Sequence, residues 1–321
     1  MGSRRLGFQV AIAAACLGGP GIAAAEVHEL RVGTSIDPII GGQVTEPGEF
    51  DGVVAIQAGN GLCTGTVVAP RLVLTAAHCL DHLSSDADVV VHYGQEINQM
   101  TIQATGWGVH PQFCPDCKED IYDYGYVEIG ADFNVPGGYT LPVVTQEEWD
   151  QAMTPGKEVT LVGYGDSSDD GAVQGGIGIK RKVTTTIRKI SPAGLEFYAG
   201  GNEQDSCNGD SGGPAFVRVA SGALRLAGIT SRGSSPCGNG GYYGAPYPAL
   251  CWIRDQTDVD FLGFECANCD CIDTAPPGDD SRCAVAGTPR FDDARAWLVS
   301  LAVVHVVGRR RRRRAAAVRP R

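Results

Sequence analysis

Short apolar runs separated by turn residues recur along most of the chain. The runs are rich in Val, Ile and Thr and end in Gly, Pro, Asp or Asn, which is typical of β-strands joined by turns. Predicted strands lie at residues 50–56, 63–68, 72–75, 89–93, 99–102, 122–129, 158–165, 180–190 and 224–230. The pattern therefore predicts an all-β protein.

Two segments depart from the strand pattern. Residues 146–153 interrupt the strands and are predicted to connect two β-rich halves. Residues 249–264 place Trp252, Ile253 and Phe261 at roughly helical spacing, which favours a short C-terminal helix. The basic residues between Lys180 and Lys189 are predicted to form a solvated strand face.

The N-terminal 38 residues differ from the body of the chain. Arg4 and Arg5 precede an apolar run from Leu6 to Leu17, and three alanines end at residue 25. This order is typical of a secretory signal peptide over residues 1–25. A membrane anchor is less favoured, because the run is shorter than the roughly 20 residues needed to span a bilayer. Residues 26–38 are predicted to form a pro-segment.

Composition changes this picture in two ways. The two ends, residues 1–25 and 290–321, hold 12 of the 26 basic residues and only 2 of the 37 acidic ones. The body is therefore strongly acidic and would repel phosphates, which argues against nucleic-acid binding. Twelve cysteines in 321 residues indicate an oxidising compartment. Cys114 and Cys117 are interpreted as a local disulfide rather than half of a zinc site.

The stretch from Asp205 to Pro214 carries the candidate chemistry. Ser211 is flanked by glycines, which permit a sharp turn that presents a hydroxyl beside backbone N–H groups. An acyl-transfer nucleophile needs this arrangement, together with a histidine base and a carboxylate elsewhere.

Two motifs then identify a resemblance. Thr75-Ala76-Ala77-His78-Cys79 and Gly209-Asp210-Ser211-Gly212-Gly213-Pro214 resemble the histidine and serine motifs of the trypsin/chymotrypsin serine proteases, over about residues 39–262. The resemblance implies two antiparallel six-stranded Greek-key β-barrels followed by the short helix. It also implies a secreted endopeptidase without a cofactor or metal, acting on protein or peptide substrates.

The same resemblance assigns a catalytic triad. His78 would be the base, Ser211 the nucleophile, and the backbone N–H groups of Gly209 and Ser211 the oxyanion hole. Asp123 is preferred as the carboxylate, with Asp120 as the competitor, because Asp120-Ile121 is also a common opening of that strand. His92 and His110 have no such context and are predicted to be ordinary surface or loop residues.

The resemblance extends to a specificity pocket. Asp205 stands six residues before Ser211, where trypsin-like members carry the aspartate of the pocket base. Ser231, Gly233 and Gly241 would form open pocket walls, so the expected cleavage follows Arg or Lys. Arg232 departs from the family, which usually has an aromatic residue there.

Disulfides and activation are carried over in the same way. The family's common bridges would join Cys63 to Cys79 and Cys207 to Cys237. Ile39 would be the mature N-terminus, paired with Asp210. Because Pro38 precedes it where activation sites are typically basic, a separate activating protease is expected.

The C-terminal end suggests a sorting signal. Residues 265–289 read as a cysteine-containing linker, and residues 290–321 combine an apolar run with six consecutive arginines. Cys283, the apolar run 296–307 and the arginines 309–314 resemble the tripartite sorting tails of myxobacteria and some other Gram-negative bacteria. The resemblance implies contact with a membrane or sorting machinery and display at the cell surface. A disordered basic tail is the alternative.

Two other functions stay open at this stage. One is a catalytically silent surface-binding protein that keeps the protease fold. The other is a serine protease that does not cleave after basic residues.

Overall fold

The strands of the first half form one closed barrel. A computed structural model of the chain describes residues 39–166 and 177–273. After a short strand β1 (Gln43–Val44), the first barrel uses β2 (Val53–Ala58), β3 (Gly61–Ala69), β4 (Leu72–Thr75), β5 (Val89–Tyr93), β6 (Met100–Val109) and β7 (Gly125–Ile129). The strands pair antiparallel in the order β2-β3-β4-β7-β6-β5, and β5 pairs back onto β2.

Apolar side chains fill the interior of this barrel. Ile56, Val73 and Val127 are fully buried within it. A Cβ added to Gly65 in β3 would lie 2.7 Å from the side chains of both Ile56 and Val73. The glycine is therefore required by packing, because a filled barrel of this size leaves no room for another side chain at that position.

The second half forms another closed barrel. Its strands are β8 (Glu158–Gly163), β9 (Arg181–Ile190), β10 (Glu196–Ala199), β11 (Pro214–Arg218), β12 (Leu224–Gly233) and β13 (Gly241–Gly244). They follow the order β9-β10-β13-β12-β11-β8, and β8 pairs with β9 to close the ring. Strand β1 adds to the outside of β9.

Two helices flank the second barrel in sequence. Helix α1 (Gln146–Ala152) begins at Thr145, whose hydroxyl accepts a hydrogen bond from the Glu148 N–H at 3.1 Å, as expected for an N-cap residue. Helix α2 (Leu250–Thr257) ends at Asp258, which has a left-handed conformation. Within residues 39–166 and 177–273, no helix has the length and apolar character needed to cross a membrane.

The predicted fold class is confirmed: the chain folds into two six-stranded antiparallel barrels and a short C-terminal helix. Two predictions about individual residues are wrong. His92 is buried within β5 rather than lying on the surface or in a loop, and Lys180 and Arg181 are buried although Arg188 and Lys189 of the same basic cluster are exposed. His110 does lie in a loop, directly after β6, and is buried there. Lys180 is accommodated because its Nζ donates to the Phe50 carbonyl at 3.0 Å.

Disulfides hold the end of the described chain against α2. Cys251 in α2 bonds Cys269, and Cys266 bonds Cys271. The predicted signal peptide, the pro-segment, the sorting tail and most of the linker lie outside the described residues.

Candidate active site

The strand β4 delivers His78 to the space between the barrels. The chain turns directly after β4, and His78 occupies a single helical turn, Ala77–Cys79, behind the fully buried Ala76. Cys79 bonds Cys63 of β3, which fixes the backbone on the far side of the histidine. The disulfide therefore leaves the imidazole little freedom to move away from the barrel edge.

Asp123 lies in the loop immediately before β7 and is buried. Its Oδ1 accepts from the His78 backbone N–H at 2.9 Å, and its Oδ2 lies 2.7 Å from His78 Nδ1. The Ser231 hydroxyl donates to the same Oδ2 at 2.6 Å. Three donors thus satisfy a carboxylate that is 2% exposed, as a buried charge requires.

These contacts set the protonation behaviour of His78. Burial lowers its pKa, but the hydrogen bond from Nδ1 and the negative charge of Asp123 raise it, and the net result is a pKa above the ordinary value of 6.5. The bond to Asp123 also fixes the proton on Nδ1, which leaves Nε2 as the acceptor.

Asp120, the competing carboxylate, lies in a different environment. Its Oδ1 accepts from the Ser191 hydroxyl at 2.5 Å, and burial together with the nearby Glu196 raises its pKa. Within the described residues its hydrogen bonds lead to the second barrel and not to His78.

The serine loop is clamped between the two barrels. The Ser211 carbonyl accepts from the Thr64 N–H of the first barrel at 2.7 Å, and the Gly212 N–H donates to the Thr230 carbonyl of the second at 2.7 Å. Gly212 has a φ of +81°, and a Cβ there would overlap the Thr75 hydroxyl. Glycine is therefore needed at this position for both conformation and space.

Two backbone amides beside Ser211 remain free for a ligand. In the described part of the chain, neither the Gly209 nor the Ser211 N–H donates to a protein acceptor. Gly209 has a φ of +94° and a Cβ there would lie 2.8 Å from the Gly165 Cα. Among the described hydrogen bonds none joins Ser211 Oγ to His78 Nε2, a contact that often tightens only when substrate binds.

Asp210 is a completely buried carboxylate beneath the same loop. Its Oδ1 accepts from the Gly165 N–H at 2.8 Å and its Oδ2 from the Cys207 N–H at 2.9 Å. The Asp210 carboxylate fits here because residues 163 and 165 are glycines. A Cβ on either Gly163 or Gly165 would collide with it. Burial raises the pKa of Asp210 to about 7, despite the two hydrogen bonds that lower it.

Ile39 begins the described chain and lies close to this region. Its side chain is fully buried, and the following Ile40 carbonyl accepts from the Asp205 N–H at 3.2 Å. The segment is therefore already docked beside the loop that leads to Ser211.

A cavity of about 270 Å³ opens beside Ser211. Its walls include Ser206, Ser231, Arg232 and Gly233. Asp205, which precedes Ser206, is buried, and a Cβ on Gly241 would lie 3.6 Å from its Oδ1.

Neutral donors surround the Asp205 carboxylate. Oδ1 accepts from the Ser206 N–H at 2.8 Å, and Oδ2 accepts from Gly240 N–H at 2.7 Å and Gly238 N–H at 3.3 Å. Burial raises its pKa and these backbone donors oppose the rise. No cation of the described residues pairs with it.

Disulfides frame both sides of the site. Cys207, next to the cavity, bonds Cys237 of the opposite wall, and Cys114 bonds Cys117 in the loop that leads to Asp123. The sulfur atoms of Cys63 and Cys79 lie near the His78 ring. Because both sulfurs are consumed by a disulfide, this cluster lacks the thiolates that a metal would need.

Comparison with known proteins decides the family. The sequence profile of the family named Trypsin matches residues 39–250, which include His78, Asp123 and Ser211. The chain belongs to the trypsin family. It is accordingly a serine protease by family, and its barrels, disulfides and serine loop are those of a trypsin-like protease.

Three relatives show how far the similarity extends. The CLIP domain-containing serine protease B14 of Anopheles gambiae is 30% identical over 269 residues, covering 68% of this chain and 71% of the relative. Serine protease 56 of Homo sapiens is 30% identical over 241 residues, and coagulation factor XII of Sus scrofa 27% over 254. The protease spans only 38% and 40% of the lengths of these last two proteins.

Some residues of the site could not be found from the sequence motifs. Ser231 was expected in the pocket wall, and the structure also places its hydroxyl on Asp123. Thr64 donates its hydroxyl to the Gly209 carbonyl at 3.0 Å, a contact between barrels with no local sequence signal. Gly163 and Gly165 lie at the end of a strand, where glycine is not by itself informative. Their role becomes clear only when the structure shows the buried Asp210 carboxylate packed against them.

Proposed function

We propose that the protease hydrolyses peptide bonds after Arg or Lys through a Ser-His-Asp triad. One observation carries the triad: Asp123 accepts both the backbone N–H and the Nδ1 of His78 while being 2% exposed. A carboxylate in this position holds the imidazole in one tautomer and stabilises the imidazolium that forms during the reaction.

The steps follow from the free groups of the site. His78 Nε2 takes the proton of Ser211 as its Oγ attacks the scissile carbonyl, and the same nitrogen later protonates the leaving amine. The unengaged N–H groups of Gly209 and Ser211 donate hydrogen bonds to the developing oxyanion. Water then repeats the attack on the acyl-enzyme and releases the second product.

Asp205 is the proposed determinant of the basic preference. It is buried next to Ser206 of the cavity wall, and the groups of the described residues that donate to it are all neutral. An Arg or Lys side chain entering the cavity would supply the missing positive charge. Gly233 and Gly241 have no Cβ, which leaves room for a long side chain.

Asp210 is the proposed partner of a new N-terminus. A buried carboxylate with only two backbone donors gains most from a cation, and release of the Ile39 ammonium by a separate activating protease would provide one. Residues 26–38 then act as the pro-segment, residues 39–264 as the protease domain, and residues 1–25 as the export signal. The disulfides of the described residues fit an exported protein.

Peptide esters test the specificity. Processed protein should cleave Arg and Lys esters in preference to Phe and Leu esters, and Asp205→Ser should remove that preference while Ser211 stays reactive. The Ser211→Ala variant is the control for contaminating proteases. Preference for Phe or Leu, or unchanged Arg selectivity in Asp205→Ser, would contradict the pocket assignment.

A further inference from the structure

Arg232 places a charge next to the catalytic residues. It follows Ser231 in β12 and forms part of the cavity wall beside Ser211. Its side chain is 29% exposed, so most of it is enclosed by the protein. A trypsin-like protease usually carries an aromatic residue at this position, and neither the triad nor the pocket accounts for a guanidinium here.

Three separate elements fix the guanidinium. Its Nη1 and Nη2 donate to the two carboxylate oxygens of Glu196 at 2.9 and 2.7 Å, which is the bidentate geometry of a strong ion pair. Nη2 also donates to the Lys118 carbonyl at 3.0 Å. The ring of Tyr242 lies under the guanidinium, 4.2 Å from centroid to Cζ. The group is therefore held in one orientation.

In that orientation the guanidinium faces the Ser231 hydroxyl. Nη1 lies 3.5 Å from Ser231 Oγ, which is a long hydrogen bond. Ser231 in turn donates to Asp123 Oδ2 at 2.6 Å, because an ionised carboxylate can only accept. The lone pairs of the Ser231 oxygen are then left to face the Arg232 N–H.

From this geometry we infer that Arg232 is a positioning residue, which acts through the Ser231 hydroxyl on Asp123 and so on His78. The inference rests on the proposed catalytic triad. Arg232 keeps the Ser231 proton on Asp123 and adds positive charge behind it. Both effects limit how strongly Asp123 draws the imidazole into its protonated form.

Other charged groups surround Arg232 on the neighbouring elements. Glu196 of β10 neutralises it most directly, and Asp123 lies near enough to interact. On the loop before Asp123, Lys118 and Glu119 are exposed, Glu119 pairs with Lys189 of β9 at 3.0 Å, and Asp120 is bound by Ser191. Among the described residues, Arg232 is thus the cation that is connected to the triad by hydrogen bonds, through Ser231.

Two changes should move His78 in opposite directions. Arg232→Gln removes the positive charge, so the acid limb of the pH profile of kcat/KM should move to higher pH by a few tenths of a unit, about 0.3–0.5. Glu196→Gln keeps Arg232 and removes its neutralising partner, so the limb should move to lower pH. Lys189→Gln, a matched loss of an exposed cation, should leave the limb unchanged.

A double-mutant cycle tests the route. On a short amide substrate, Arg232→Gln should lower kcat about five-fold with little change in KM. In a Ser231→Ala background the same change should have almost no further effect on kcat, since the coupled pair is already broken. Titration of reactive Ser211 gives the folded fraction of each variant.

Each outcome decides the matter. Additive losses of kcat, or an acid limb that Arg232→Gln leaves in place while only the KM of longer peptides changes, would show that Arg232 is merely a wall of the cleft. If Arg232→Gln does not fold, a limb that Glu196→Gln leaves unmoved or raises overturns the inference. Absence of any turnover in processed wild-type protein would instead contradict the proposed function.

Discussion

At the scale of single residues, buried carboxylates define the site. Asp123, Asp205 and Asp210 are each no more than 2% exposed, and each is satisfied differently. Asp123 has an imidazole and a hydroxyl, whereas Asp205 and Asp210 depend mainly on backbone N–H groups. A charge that is buried with neutral donors alone is poised to bind a cation.

Asp210 gives a prediction about the uncleaved precursor. Its folded pKa of about 7 lies above the value of about 4 expected in an unfolded chain. Folding therefore favours the protonated carboxyl, and the contribution of Asp210 to stability is complete below pH 4 and is lost as the pH rises toward 7. Asp210→Asn should remove this loss, so the variant should be more stable than the parent at pH 8.

Thermal unfolding checks the prediction. Both proteins should be kept unprocessed and carry Ser211→Ala to prevent self-cleavage, and their Tm values should be compared at pH 4 and pH 8. The Tm of the Asp210→Asn protein minus that of the parent should be larger at pH 8 than at pH 4. Equal differences at the two pH values would show that Asp210 does not titrate in this range.

At the scale of elements, the connections between the barrels hold the site together. Tyr164 follows β8 of the second barrel, and its fully buried hydroxyl lies 2.7 Å from the Gly94 carbonyl and 3.0 Å from the Val53 carbonyl of the first. The backbone groups of Thr64 and Thr230 form hydrogen bonds with the serine loop, one from each barrel. The proposed catalytic residues of the two barrels therefore lie at a boundary that is joined by hydrogen bonds.

Replacing Tyr164 should weaken that boundary. Tyr164→Phe removes the single hydroxyl proton that the Gly94 and Val53 carbonyls share, which should cost about 1–3 kcal/mol of unfolding free energy. Tyr198→Phe is the matched control, because its hydroxyl donates to the Asn239 carbonyl in an exposed contact. Urea unfolding would measure both. Similar losses in the two variants would refute a special role for the Tyr164 contact.

The sequence predicts the strands and the main motifs correctly but not the burial of individual polar residues. Alternating strands and two motifs sufficed for the barrels and for the approximate position of His78 and Ser211, because these signals are local. The buried His92 and Lys180 were misjudged, since burial depends on partners such as the Phe50 carbonyl that lie far away in sequence. The ion pair of Arg232 with Glu196 was out of reach for the same reason, because its members are 36 residues apart.

At the scale of the whole molecule, the barrels carry the proposed catalytic groups, and the proposed function makes cleavage before Ile39 the step that controls them. The first barrel supplies His78 and the loop of Asp123, and the second supplies Ser211, its free amides and the cavity. In the proposed activation, the Ile39 ammonium pairs with Asp210 beneath the same loop. The central claim is that this assembly makes Ser211 a nucleophile that depends on Asp123.

Labelling with a serine-directed phosphonate tests that claim most directly. N-terminal sequencing should first show that the processed protein begins at Ile39, and mass spectrometry should then locate the adduct. We predict one adduct, on Ser211, forming at least about a hundred-fold more slowly in Asp123→Asn. No adduct on Ser211 of the processed protein, or equal labelling rates in the two proteins, would contradict the proposed mechanism.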